Sequence, residues 1–254
     1  FTSTADDRFG GSGSFNTERG GAESPAPSDW GGLYFGHATS GSIDNAYIAF
    51  GGGVTPIEGG SARFNAVEVH QADVRIANSL LQSNAGGGDG SQRGGRGLNT
   101  DAAIYVRGSQ TAIINNEIVD NLGAAISINA NALNYETVFD RGRMTGPVDD
   151  FEQISGNQGA LIRLNRLEDN AINGLVVRGE ELTTESVWDD TDIVHVVDGE
   201  VIVDNHHSYS GLKLLSSNSE SLVIKFATPD SGFTATGTPL EIIDRIGGTI
   251  HVLG

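Results

Sequence analysis

The feature that most constrains this chain is an internal repeat of strand-sized blocks. Aligned on an Asn and the apolar residue three positions on, Asn45-Ala46-Tyr47-Ile48, Asn78-Ser79-Leu80-Leu81 and Asn115-Asn116-Glu117-Ile118 superpose. Leu164-Asn165-Arg166-Leu167 follows in the same frame, with Asn165 opposite Asn116. Three residues past the apolar position stand Asn84, Asn121 and Asn170. Upstream, Ala66-Val67-Glu68-Val69 matches Ala103-Ile104-Tyr105-Val106; downstream, Ala125-Ile126-Ser127-Ile128 matches Gly174-Leu175-Val176-Val177. The blocks recur at spacings of 33, 37 and 49 residues, so they persist while the material between them varies. A coil that tolerates insertions at one corner behaves this way, whereas a meander or sandwich has no reason to keep one block in frame. A single coil cannot bury its own apolar side chains, and stacking supplies the missing neighbour.

Local patterning agrees. Short runs alternate apolar with polar residues, the period-2 signature of half-buried strands. They are Leu33–Phe35, Ser42–Phe50, Ala66–His70, Val74–Leu81, Ala103–Arg107, Ala112–Val119, Ala125–Asn129, Leu161–Leu167, Leu175–Arg178, Ile193–Val197, Glu200–Asp204, Leu212–Leu215, Leu222–Phe226, Leu240–Ile243 and Thr249–Leu253. Capped i, i+3, i+4 stripes are missing, so very little helix is expected. Gly contributes 36 of the 254 residues, about twice its ~7% average share, which favours tight turns. The expected fold is all-β, a single right-handed parallel β-helix over residues 1–254, with loop insertions at Gly51–Gly60, Ala85–Gly97 and Asn131–Gly159.

In that geometry, inward residues of successive coils stack as aliphatic columns ~4.8 Å apart. Asn at a repeated turn tolerates left-handed backbone and forms ladders of side-chain hydrogen bonds that satisfy the bending chain. Asn78, Asn84, Asn115, Asn116, Asn121, Asn165 and Asn170 are therefore assigned to the framework rather than to catalysis or ligation.

These residues resemble right-handed parallel β-helix proteins, and within them the large secreted, multi-repeat surface proteins of bacteria. Asp29-Trp30-Gly31-Gly32-Leu33-Tyr34-Phe35, followed by Ser42-Ile43-Asp44-Asn45-Ala46-Tyr47-Ile48 and Gly51-Gly52, is similar to the opening coil of such proteins. Asn115–Asn121 through Ala125–Asn131 is similar to their central coils, and Trp188–His195 and Asp244–Gly254 to their later ones. The resemblance implies a structural or adhesive module, secreted or at the cell surface. It further implies that a strand such as Thr249, Ile250, Val252 and Leu253 runs into one such as Phe1, Thr2 and Ser3. The expectation is one unit of a fibre stacked end to end, because open β-helix ends recruit other chains unless capped.

Composition narrows the chemistry. With no Cys, disulfide scaffolds, thiolate metal sites and cysteine nucleophiles are excluded. The formal net charge of −18 disfavours nucleic acid and anionic lipid, and no apolar stretch approaches the ~18 residues of a membrane span. Asp189, Asp190 and Asp192, three carboxylates within four residues, form the oxygen-rich set that Ca²⁺ accepts, with Asp6-Asp7, Asp89 and Asp149-Asp150 with Glu152 as weaker clusters. His206-His207 would point to opposite faces of a strand and so chelate one ion poorly; His37, His70, His195 and His251 are single. The enzymatic alternative is polysaccharide cleavage as a lyase or glycoside hydrolase, with Arg107, Arg163 and Arg178 facing outward on one sheet, or with Asp120, Glu168 and Asp169 as carboxylates. Trp30, Tyr34, Tyr47, Tyr105, Tyr135, Trp188 and Tyr209 offer aromatic surface to a sugar, with Trp30 and Trp188 also suited to plugging the core. No Asn-x-Ser/Thr sequon is present.

Overall fold

The computed structural model describes residues 1–8, 17, 23–57, 60–88, 98–142, 151, 154, 156–204, 211–239 and 245–254. The chain enters β1 (Leu33–Phe35), β2 (Ser40–Asp44) and β3 (Tyr47–Ala49), then a hairpin of β4 (Val54–Ile57) and β5 (Gly60–Arg63). It returns through β6 (Val67–His70), β7 (Asp73–Ala77) and β8 (Leu80–Gln82), and again through β9 (Ala102–Arg107), β10 (Ala112–Ile114) and β11 (Glu117–Val119). A fourth passage is β12 (Ala124–Asn129), a 3-10 turn at Ala130–Ala132, β13 (Leu161–Arg163) and β14 (Arg166–Glu168). Then come β15 (Ile172–Arg178), β16 (Ser186–Trp188), β17 (His195–Asp198), β18 (Glu200–Val203) and β19 (Gly211–Leu215). The last are β20 (Ile224–Phe226), β21 (Gly232–Ala235), β22 (Gly237–Pro239), β23 (Arg245–Gly247) and β24 (Thr249–Leu253).

Each passage adds one strand to each of three parallel sheets. The central sheet has seven strands in the order β1-β6-β9-β12-β15-β17-β20; the second runs β13-β10-β7-β2 and the third β14-β11-β8-β3. Beyond β15 the flanking positions pass to β16-β19-β24 and β18-β21. The architecture is all-β, with parallel sheets in the order of a β-helix-like solenoid.

Register builds the core from the repeat. In the second sheet Ile43, Ile76, Ile113 and Ile162 are successive partners, and in the third Ile48, Leu81, Ile118 and Leu167. The central sheet contributes Leu33, Val67, Ile104, Ile126 and Leu175, and a second line of Phe35, Val69, Val106, Ile128, Val177 and Val197. Most of these side chains are fully buried and belong to one cluster. A fully buried Ile or Leu contributes about 1.5–3 kcal/mol, so the columns dominate the packing.

Three expectations are corrected. Ser42–Phe50, Val74–Leu81, Ala112–Val119 and Leu161–Leu167 are each two strands, because Asn45, Asn78, Asn115 and Leu164 have φ of 52°, 52°, 54° and 61° and turn the chain between neighbouring sheets. Gly51–Gly60 is not all loop, since β4 lies within it and pairs with β5 as an antiparallel hairpin. Tyr105 is buried rather than exposed, at 2% accessibility. Leu240–Ile243, His206-His207, Tyr209, Asp89, Asp149-Asp150 and Glu152 lie outside the described residues.

Candidate functional site

The asparagines form three lines along the stack. At the exposed left-handed corner, Asn115 Nδ2 donates to Asn78 Oδ1 at 2.7 Å, and Asn78 Nδ2 to Asp44 Oδ1 at 3.2 Å. One residue on, Asn116 Oδ1 accepts from the Ser79 backbone N–H and Asn165 Oδ1 from the Asn116 N–H, at 3.1 and 3.0 Å. At the next corner Asn84, Asn121 and Asn170 repeat one pattern. The Asn121 and Asn170 Oδ1 atoms accept the N–H of the preceding coil's Asn, while the three Nδ2 groups donate to the carbonyls of Ile48, Leu81 and Ile118. The line closes at Asn173, whose Oδ1 accepts from Asn170 N–H at 3.0 Å. Buried backbone groups at the corners are thereby paired without water.

The three aspartates gather around an arginine from the second sheet. Asp190, 2% exposed, stands 2.8 Å from Arg163 Nε; Asp192 is 3.5 Å from Arg163 Nη1 and accepts the Leu164 N–H at 2.6 Å. Arg163 Nη2 donates to the Asp189 carbonyl at 2.7 Å, and the Asp189 carboxylate accepts the Gln158 N–H at 3.1 Å. Burial pushes the Asp189 carboxyl above the ordinary range and Asp190 well above it, the latter against the opposing pull of Arg163. The arrangement pins residues 189–192 over the end of the second sheet. Among the described residues no group of three or more His, Asp or Glu side chains is arranged to hold a metal ion.

Among the described residues, concave regions lie beside the second sheet and on the outer face of the central sheet. A groove of about 550 Å³ runs between the second sheet and residues 136–142, with Gln71, Asp73, Gln110, Glu136, Phe139 and Arg141 among its walls. Its floor is a buried ion pair: Arg75 Nε and Nη2 reach the two Asp140 oxygens at 2.7 and 3.0 Å, and Nη1 contacts Asp44. Asp140 also accepts the N–H groups of Gly142 and Phe151.

The second region lies on the outer face of the central sheet. Pairing puts Tyr34, Glu68, Tyr105 and Ser127 in one row and His70 beside Arg107 in the next. Glu68 is fully buried; its Oε1 is 2.6 Å from His70 Nε2, and its Oε2 accepts from Asn65 N–H and Asn99 Nδ2 at 3.3 and 3.4 Å. The His70 ring lies 5.4 Å from Tyr34 and 5.3 Å from Tyr105. Its Nδ1 is buried without a hydrogen-bond partner. Arg178 covers the Tyr105 ring at 4.2 Å and donates to Ser127 Oγ and the Val106 carbonyl at 2.7 and 2.6 Å; burial lowers its pKa. A cavity of about 260 Å³ opens here, lined by Tyr34, His37, His70, Gln71, Arg107 and Asn129, with Gly108 between the last two. Sequence reasoning treated His70 as a lone histidine, although the matched blocks already set Glu68 opposite Tyr105 and, two residues on, His70 opposite Arg107.

The other singled-out residues separate. Arg107 and Arg178 share the central sheet, but Arg163 ends a strand of the second, so the three do not face outward on one sheet. Glu168 is half-exposed and pairs with Arg166, while Asp120 and Asp169 occupy left-handed turns at φ 56° and 53°. Trp188 is buried, stacked 5.4 Å from His195, whereas Trp30 is partly buried and donates from Nε1 to the Ala49 carbonyl at 2.7 Å. Phe1 lies along β3, its N–H donating to the Tyr47 carbonyl at 2.6 Å and its carbonyl accepting from Ala49 N–H at 3.0 Å. Thr2 donates to Asp6 and Ser3 to Asp29, both at 2.5 Å. Thr249, Ile250, Val252 and Leu253 occupy β24, where Val252 is 76% exposed. Compared with protein-family models, curated proteins and solved structures, the chain matches none of them.

Proposed function

We propose that this chain is a structural module, a single right-handed parallel β-helix that stacks end to end with further copies into a fibre outside the bacterial cell and presents an adhesive surface. Right-handedness is the expected sense for parallel strands joined by crossovers. The observation that carries this reading is the state of the last strands. Among the described residues β20, β21 and β24 each end a parallel sheet, with Phe226, Val252 and Leu253 half or more exposed. Leu253 accepts from the Ser216 N–H on the β19 side, so strand alternation turns the Val252 N–H and C=O to the open side. An unpaired parallel edge is a template for another strand. At the opposite end, the two hydrogen bonds of Phe1 support the β3 edge as a receptor for such a strand.

Electron microscopy and sedimentation across a concentration series test this, with calcium and with a chelator. The net charge of −18 opposes close approach of copies, and bound Ca²⁺ at acidic loops would offset it. The expected result is linear stacks that lengthen with concentration and shorten under chelation. Val252→Pro removes the outward N–H and leaves monomers with an unchanged circular dichroism spectrum. Discrete monomers at every concentration, with or without calcium, overturn the proposal.

A further inference from the structure

We propose that the groove between the second sheet and residues 136–142 binds a short neutral oligosaccharide, stacked on the Phe139 ring and hydrogen-bonded by Gln71, Glu136 and Thr137. The proposal rests on the adhesive part of the function proposed above and names the ligand class of that surface.

The wall that carries Phe139 is fixed before any ligand arrives. Val138 packs against Ala77, Ile114 and Leu161 on the outer face of the second sheet, and its N–H donates to the Asn157 carbonyl at 3.0 Å. Gly159 N–H donates to the Glu136 carbonyl at 2.9 Å. Asp140, 6% exposed, is held by Arg75 through two hydrogen bonds. Phe139, between these two anchored residues, is left 59% exposed at the groove. A single exposed aromatic side chain is ordinary on a protein surface. This one is informative because the groove beside it offers hydrogen-bonding groups that the fold does not use.

The Gln71 amide, the Glu136 carboxylate and the Thr137 hydroxyl line the groove and are exposed. Among the described residues none of the three side chains makes a hydrogen bond or ion pair. By contrast, Arg75, Gln110 and Arg141 are already engaged. Arg75 is bound by Asp44 and Asp140, and Gln110 donates to Asn134. Arg141 lies 5.8 Å over the Phe139 ring and 3.5 Å from Asp73.

This set selects a sugar. A pyranose offers an apolar C–H face to an aromatic ring and a rim of hydroxyls around it. Amide and hydroxyl groups each donate and accept, and an ionised carboxylate accepts from more than one hydroxyl. Charge then selects among sugars. Asp73 and Glu136 stand on the walls, the exposed guanidinium of Arg141 is shared between Asp73 and Phe139, and the chain carries −18, so a uronate is repelled. At about 550 Å³ the groove falls within the ~300–1,000 Å³ of small-ligand sites, which suits a short oligosaccharide.

Calorimetric titration of the full chain with neutral trisaccharides of glucose, galactose, mannose and N-acetylglucosamine tests the assignment, with trigalacturonate and spermidine as charged controls. Saturable binding of at least one neutral trisaccharide is expected, with both controls at least about tenfold weaker. Phe139→Ala and Glu136→Gln, each checked for an unchanged thermal midpoint, weaken that trisaccharide by about tenfold, the size of one stacking contact or one charged hydrogen bond. In the unaltered protein the Gln71 side-chain ¹⁵N resonance reads the groove without any substitution, and a shift on adding the trisaccharide is expected. No binding by any of the four, equal or tighter binding of trigalacturonate or spermidine, full affinity in Phe139→Ala, or an unmoved Gln71 signal overturns the proposal. Whole-cell binding separates this site from the adhesive reading. Undiminished adhesion of Phe139→Ala removes the site and leaves that reading standing, whereas absent adhesion with intact trisaccharide binding does the reverse.

Discussion

The passages up to β14 and the region from β16 onward solve the same problem in different ways. In the first, corners are closed by asparagines that hydrogen-bond from coil to coil, and one inward column in each of the second and third sheets is made of Ile or Leu throughout. In the second, the ladder has ended at Asn173, and the flanking sheets fall to β16-β19-β24 and β18-β21. The inward line of the central sheet there carries His195, partnered with Leu175 and Ile224, and the space beside it is filled by Trp188 and Phe233. Between the two regions stands Arg163, drawing Asp189, Asp190 and Asp192 over the end of the second sheet. A periodic chain can reuse one hydrogen-bonding solution at every corner. Once the ladder asparagines run out after Asn173, the later coils pack through individual aromatic contacts and ion pairs.

The comparison predicts unequal sensitivity. Asn121→Ala removes the side-chain acceptor of the buried Asn84 N–H and the side-chain donor to the buried Leu81 carbonyl at once, so a loss of about 4 kcal/mol is expected in denaturant unfolding. In the later region, Ser231→Ala removes the hydroxyl that accepts from Gly199 N–H at 3.1 Å, and about 1 kcal/mol is expected. Equal losses at the two sites would remove the distinction between a shared ladder and local contacts.

The next largest effect is pH-dependent and belongs to the later region. Burial pushes the His195 imidazole from its ordinary 6.5 down to about 4. The unfolded chain therefore binds a proton between those values while the folded chain does not, so stability falls as pH drops from about 6.5 to 4. The lowered pKa corresponds to about 3 kcal/mol across that window. His195→Phe preserves a ring against Trp188 and should flatten this part of the curve. A parallel curve for the variant and the parent would place the titration elsewhere.

The smallest effect sharpens the corner itself. Leu164 holds φ 61° where the equivalent residues of earlier coils are Asn45, Asn78 and Asn115. A left-handed conformation costs an ordinary side chain about 1–2 kcal/mol, and Asn tolerates it better. Leu164, 49% exposed, has little packing to lose. Leu164→Asn should therefore raise stability by about 1 kcal/mol, measured as a higher denaturation midpoint at unchanged slope; a lower midpoint would show that Leu164 is retained for contacts.

Much of the framework was legible because it is periodic. The alignment that superposed Asn78 on Asn115 and Asn84 on Asn121 also set the observed strand register, since one residue of slip would turn the aliphatic columns outward. The strand breaks were harder to read. Val74–Leu81 alternates well enough for one strand, and only the left-handed backbone at Asn78 divides it. The candidate sites were the least legible. Asp189, Asp190 and Asp192 are neighbours in the sequence, but Arg163, which ion-pairs with Asp190 and Asp192, comes from the second sheet and could not be matched to them without the fold. Arg75 and Asp140 are 65 residues apart and neither stands in a motif.

By itself the sequence determined the period, the aliphatic columns and the asparagine corners. Those depend on interactions that repeat, so each copy carries the same information. The tertiary structure alone decided which outward side chains meet. Tyr34, Glu68, His70, Tyr105 and Arg107 become neighbours only when three coils lie one strand spacing apart. The physical reason is that inward positions all solve the same burial problem, whereas an outward row has a chemistry set by whichever residues the register happens to align.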